Sequence, residues 1–165
     1  MHEKQERQLG CFIATVSDTR TIETDKSGKL MKELLLENGH HCIDHVIVKD
    51  DKQQIQQMIL DAVIENKVDA ILLTGGTGIS ARDVTIEAVE HIIEKEINGF
   101  GELFRMLSYQ EDIGSRAMLS RAIAGVVNGK VIFAMPGSTG AVKLAMNKLI
   151  LPELSHIYDE LHKHV

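Results

Sequence analysis

Residues 69–75, Asp-Ala-Ile-Leu-Leu-Thr-Gly, set four consecutive apolar side chains between an acid and a glycine. A strand with one wet face alternates apolar and polar residues; an unbroken apolar run suits a strand covered on both faces. Strands of that kind belong to mostly parallel sheets with helices packed above and below.

The neighbouring segments alternate in the same sense. Residues 11–17 (CFIATVS) and 41–50 (HCIDHVIVKD) read as strands. Between them, residues 27–39 place Leu30, Met31, Leu34 and Leu35 at helical spacing and stop at Asn38-Gly39. Residues 51–67 put Ile55, Met58, Ile59, Ala62 and Val63 on one helical face, and residues 83–97 read as a further helix. The order βαβαβα implies a parallel sheet with right-handed crossovers. The second half is less regular. Residues 99–114 read as a helix entered through a glycine-rich turn, and 115–122 as a short helix or turn. Two apolar runs around Asn128-Gly129 form a hairpin signal, and a last helical stretch is interrupted or restarted at Pro152. The expected fold is therefore α/β: a single-domain three-layer sandwich, mostly parallel, with helices on both faces and a short antiparallel hairpin. The domain is expected over 11–165, behind a flexible arm at 1–10.

Composition removes several classes of function. With 165 residues there is enough chain for one domain with a sizeable core. The net charge of −6, with no basic block, argues against nucleic acid or an anionic membrane as partner. No apolar stretch approaches the roughly 18 residues of a membrane span, and the polar start MHEKQERQLG is not a signal peptide. Cys11 and Cys42 head apolar runs and read as buried free thiols, in keeping with a cytoplasmic protein. His40, His41 and His45 cluster at the start of the second strand, away from the expected ligand edge, and do not read as a metal site.

In open α/β sheets ligands bind beyond the carboxyl ends of the strands. Here those ends carry Thr15, Ser17 and Asp18; Asp50 and Asp51; Thr74, Gly75, Gly76, Thr77 and Gly78; and Pro136, Gly137, Ser138 and Thr139. Glycines without Cβ atoms let backbone N–H groups surround an anion, and the threonines add hydroxyl donors. The stretch GGTGISARD lacks the Gly-Lys-Ser/Thr ending of a Walker A loop, and it follows the third strand rather than the first, unlike a dinucleotide fingerprint. A plain wide turn is the other reading. Ser138 serves either as an N-cap or as part of an anion contact at a helix start. Asp50 and Asp83 stand at different strand ends, where two like charges beside a phosphate call for a divalent cation. Asp83 could equally cap the helix after it, and Asp50 and Asp51 compete to cap theirs.

The phrases ATVSDTR, DKSG, LLTGGTGISARDVTIEAV, GFGELFRMLS, AMLSRAIAGV and FAMPGSTGAV resemble the MoaB/MogA family of molybdenum cofactor biosynthesis proteins, from about Cys11 to Pro152. The resemblance implies a molybdopterin-binding fold. It also implies adenylylation of molybdopterin with Mg-ATP: the terminal phosphate of the pterin attacks the α-phosphate of ATP and pyrophosphate leaves. By position, Gly75, Gly76, Thr77 and Gly78 would hold the pterin phosphate, while Asp50 and Asp83 match required acids and tentative Mg2+ ligands. Ser108 matches a serine of pterin handling, and Pro136, Gly137 and Ser138 would face the nucleotide. The implied assembly is a homotrimer or homohexamer that passes its product to a molybdate-inserting protein. A non-catalytic molybdopterin carrier is the alternative function.

Overall fold

In the computed structural model, which describes residues 7–164, a six-stranded sheet lies between two layers of helix. In chain order the elements are β1 (Gly10–Val16), α1 (Lys26–Glu37), β2 (His41–Val48), α2 (Lys52–Val63), β3 (Ala70–Thr74), α3 (Thr85–Glu90), β4 (Lys95–Glu96), α4 (Asn98–Glu111), a 3-10 segment (Gly114–Leu119), β5 (Ile123–Val127), β6 (Lys130–Met135), α5 (Thr139–Ala145) and α6 (Leu151–His162). The strand order is β2-β1-β3-β6-β5-β4, with β1, β2, β3 and β6 parallel and β5 antiparallel to both neighbours. The three-layer α/β expectation is met, and Asn128-Gly129 makes the β5–β6 turn with positive φ at both residues.

The unbroken apolar run became the strand with no wet face: every residue of β3 is fully buried. Its side chains alternate between two cores. Ala70 and Leu72 join Ile13, Met31, Phe104, Phe133 and Met146 under α1, α4, α5 and α6. Ile71 and Leu73 join Ala14, Ile55, Ile59 and Val89 under α2 and α3. The chain leaves β1 for β2 at one side and returns to β3 at the other, so the loops after β1 and β3 diverge and open a crevice between them.

Local signals explain most element ends. Asn38-Gly39 closes α1 in a Schellman arrangement, with His40 N–H on Leu35 O at 3.0 Å and Gly39 N–H on Leu36 O at 3.1 Å. Before Pro152 the last helix loosens into a π turn over Met146–Ile150, where the missing proline N–H is absorbed. On β2 the pairing with β1 slips by one residue at Ile43, a bulge on the outer strand. Of the expected arm at 1–10, residues 1–6 lie outside the described residues. Leu9 is buried, with its N–H on His40 Nδ1 at 3.2 Å, and Gly10 already belongs to β1.

The helix expected over 83–97 is much shorter. It ends at Glu90, and the chain turns to bring β4 antiparallel to β5, with Glu94 N–H on Val126 O and Ile97 N–H on Ala124 O, both at 2.8 Å. Sheet pairing overrides the helical period here, because Ile93 is laid flat over Gly125. Likewise α4 starts at Asn98, so the glycines of GFG lie inside its first turn rather than before it.

A Cβ on Gly125 would stand 2.7 Å from Ile93 Cγ2. Gly125→Ala is expected to cost roughly 1–3 kcal/mol from overpacking, read by urea unfolding, and Ile93→Val in the same chain should recover part of the loss.

Candidate functional site at the carboxyl edge

At the end of β3 the chain turns hard. Gly75 and Gly76 hold φ of +98° and +68°, in the left-handed region that favours glycine. A Cβ on Gly75 would collide with Val16 O, and one on Gly76 with Thr85 Oγ1. The turn carries successive carbonyls inward, and each finds a donor. Thr85 gives its hydroxyl to Gly75 O at 2.9 Å and its N–H to Gly76 O at 3.0 Å. Arg121 gives Nε to Thr77 O at 3.1 Å and Nη2 to Gly78 O at 2.8 Å. Gly75 N–H turns back to Met135 O at 3.0 Å. The N–H groups of Gly76, Thr77, Gly78 and Ile79 have no acceptor among the described residues. Four carbonyls fixed inward and four successive amides left open give the loop the polarity of an anion nest.

The loop after β6 closes on this turn. Thr74 Oγ1 donates to Pro136 O at 3.0 Å, and Ser27 Oγ to Gly137 O at 2.6 Å. The space a Gly137 side chain would need is taken by Gly75 Cα at 3.3 Å. Ser138 is the N-cap of α5, its Oγ accepting from Ala141 N–H at 3.1 Å.

The acids now separate by role. Asp51 caps α2, accepting from the N–H groups of Gln53 and Gln54 at 2.9 and 3.2 Å, which leaves the Asp50 carboxylate uncommitted to the helix. Asp50 Oδ1 lies against Gly76, 2.9 Å from where a Cβ there would stand. Asp83 does not cap α3, whose first turn has no side-chain cap. It lies against Gly78 and accepts from Ser80 N–H at 3.0 Å and Ser80 Oγ at 2.7 Å. Asp18 accepts Asp50 N–H at 3.0 Å and a fork from Arg82, Nε at 3.0 Å and Nη2 at 2.8 Å, so one carboxylate ties the loops after β1, β2 and β3 together. That hydrogen-bonded fork holds the Asp18 carboxyl below its ordinary range. Asp50 moves the other way: burial pushes it up, and the charges of Asp18 and Asp83 push it further. Crowded negative charge beside open amides suits a divalent cation. Mg2+ takes one or two carboxylates and completes its shell with water and phosphate oxygens, so Asp50 and Asp83 fit that donor set. Among the described residues no group of three or more His, Cys, Asp or Glu side chains gathers to hold a metal unaided.

The remaining expected contacts lie behind or beside this edge. Thr15 is buried and gives its hydroxyl to Asp25 Oδ2 at 2.5 Å. Ser17 Oγ accepts from the N–H groups of Thr19 and Arg20 at 3.2 and 3.1 Å, shaping the loop after β1. Ser108 is buried within α4 and makes no hydrogen bond to the glycine loop. Cys11 is buried, as expected, but Cys42 is only half-buried. A cavity of about 660 Å3 lies at the opposite edge of the molecule, lined by Arg7, Glu37, His40, Ser155, His156 and Asp159. No helix of the described residues is long and apolar enough to cross a membrane.

Sequence reasoning passed over Arg121, Glu87, Arg82, Thr85 and Asp25, and it set His45 away from this edge, whereas the His45 ring reaches Asp25 behind the loop after β1. Asp25 carried a signal: Asp at one end of DKSG, three residues before Gly28, is an N-cap pattern, and its Oδ1 does accept Gly28 N–H at 3.0 Å. Its Oδ2 faces His45 Nε2 at 2.8 Å. Burial alone would raise this carboxyl, but Thr15, the Gly28 N–H and His45 together hold it below the usual range.

The comparisons with known proteins fall on this same chain length. The family model for a "Probable molybdopterin binding domain" matches residues 12–156. Molybdenum cofactor biosynthesis protein B of Bacillus cereus is 63% identical over 163 residues, covering 98% of this chain and 96% of the relative. A crystal structure of a molybdenum cofactor biosynthesis protein B superposes with a TM-score of 0.94 at 62% identity, covering 96% and 99% of the two chains. The tungsten cofactor synthesizing protein MoaB of Pyrococcus furiosus superposes with a TM-score of 0.84 at 36% identity, covering 94% and 98%.

Asp25 offers a direct check on the frame of this edge. Asp25→Asn is expected to lose roughly 1–3 kcal/mol of stability at neutral pH. A lowered carboxyl contributes fully above the ordinary carboxylate range, and its contribution is lost as pH falls through the lowered native value. Thermal melts of variant and wild type should therefore converge toward acid pH.

Proposed function

We propose, from the premise that the chain belongs to the molybdenum cofactor biosynthesis family of MoaB and MogA, that it binds molybdopterin and adenylylates it with Mg-ATP, releasing pyrophosphate. The observation that carries this reading is the loop at 75–79, whose carbonyls are held inside while its amides stay open. Those amides would take the terminal phosphate of the pterin. The loop after β6, packed on Gly75 through Gly137, would take the nucleotide at Pro136, Gly137 and Ser138. Asp50 and Asp83 would hold Mg2+, which neutralises the phosphates of ATP. A pterin phosphate oxygen then bonds to the α-phosphorus as the bond to the β-phosphate oxygen breaks. Such a transfer depends on positioning and charge neutralisation, not on a protein nucleophile. Asp18, already paired with Arg82, keeps the three loops in register rather than joining the reaction.

Two further expectations belong to the same reading. The exposed side chains of Leu103, Met106, Tyr109, Met118 and Leu119 gather on α4 and the 3-10 segment, an apolar face that suits a subunit contact in a homotrimer or homohexamer. Cys11 and Cys42 are register partners on β1 and β2 and both are free thiols, which suits a reducing cytoplasm; on this reading a molybdate-inserting protein there would receive the product.

Incubation with molybdopterin and Mg-ATP should yield pyrophosphate and adenylylated pterin; pterin binding without pyrophosphate would make the protein a carrier, and no binding would sink both. Asp50→Asn and Asp83→Asn should each lower turnover by about a hundredfold or more while leaving pterin binding largely intact. Asp50→Asn should also leave the fold as stable or slightly more so, because the native carboxylate is held above its ordinary range and relief of its charge favours folding. Met118→Glu, at a site 80% exposed, should reduce the molar mass seen by light scattering; an unchanged mass would move the subunit contact elsewhere.

A further inference from the structure

Arg121 lies ahead of β5, far in sequence from the loop it grips. Its Nε reaches the carbonyls of Thr77 and Gly78 at 3.1 Å each, and Nη2 reaches Gly78 O at 2.8 Å. The other side of the guanidinium is forked onto Glu87, Nη1 to Oε2 at 2.5 Å and Nη2 to Oε1 at 3.0 Å. The cation is therefore compensated inside the protein, and what it delivers to the loop is direction rather than charge. A peptide unit is planar and trans, so fixing a carbonyl fixes the N–H of the next residue on the opposite side. Thr85, through Gly75 O and Gly76 O, sets the amides of Gly76 and Thr77. Arg121, through Thr77 O and Gly78 O, sets those of Gly78 and Ile79.

We infer that Arg121, held by Glu87, is a positioning residue that aims the N–H groups of Gly78 and Ile79 at a bound phosphate. The loop's anion site is then built by two devices in series, the Thr85 hydroxyl and N–H for its first half and the Arg121–Glu87 fork for its second. Lysine keeps the charge but has no planar fork to span two carbonyls and a carboxylate at once. This inference rests on the reading that the loop binds the pterin's phosphate.

The test uses the full chain and the air-stable oxidised derivative of molybdopterin, before and after phosphatase treatment, with binding followed by pterin fluorescence. Wild type should prefer the phosphorylated form. Arg121→Lys should weaken binding of that form by about tenfold, the scale of one misaligned hydrogen bond to a charged group, and leave the dephosphorylated form unchanged. Glu87→Gln, which removes the charged half of the fork's partner, should produce the same phosphate-specific loss; it serves if Arg121→Lys does not fold. Combining the two should cost little more than either alone, since both act through one contact. Equal weakening of both pterin forms would make Arg121 a structural brace and overturn the inference, as would unchanged affinity for the phosphorylated form. A wild type that does not distinguish the two forms would instead remove the phosphate reading itself.

Discussion

A strand with no face to water cannot end gradually. Each residue of β3 is fully enclosed, with β1 on one side and β6 on the other. Where the strand stops, Val16 O occupies the place a side chain at position 75 would need. The chain has to leave through left-handed backbone, and that conformation swings its carbonyls toward the interior. Buried carbonyls require donors, and Thr85 and Arg121 supply them. The amides, turned the other way, are left open to whatever approaches the edge. Enclosure of one strand thus determines the polarity of the loop that follows it.

The electrostatics of the edge follow from the same crowding. Asp18, Asp50 and Asp83 are carried by three different loops, and Arg82 is forked onto Asp18. Burial first, and then the like charges beside it, hold the Asp50 carboxyl above its ordinary range. A phosphate approaching the amides would meet the same repulsion. On the proposed function, a divalent cation held by Asp50 and Asp83 would relieve both costs together.

Much of this frame was legible in the sequence because it depends on neighbours along the chain. The unbroken run at 70–73, the stop at Asn38-Gly39 and the turn at Asn128-Gly129 are local instructions, and the structure follows them. The glycines at 75 and 76 were legible as a special turn for the same reason. The parts that were not legible depend on residues remote in sequence. Arg121 meets Thr77 from 44 positions away, Arg82 meets Asp18 from 64, and Ser27 meets Gly137 from 110. No periodicity or spacing encodes those distances. The shortened α3 fails for a related reason: its helical pattern is real, but Ile93 is claimed by Gly125 across the sheet.

The bulge at Ile43 and the brevity of β4 have a joint consequence. One outer strand carries a one-residue bulge near its start, which shortens the continuous ladder it offers an incoming chain to Asp44–Val48. The other outer strand is two residues long, and both are charged. Both margins of the sheet are thereby made poorer templates for extension, one by a bulge and the other by brevity and charge. An assembly of the proposed kind would therefore form through side chains on helices, where a few substitutions can set how many subunits join without touching the sheet.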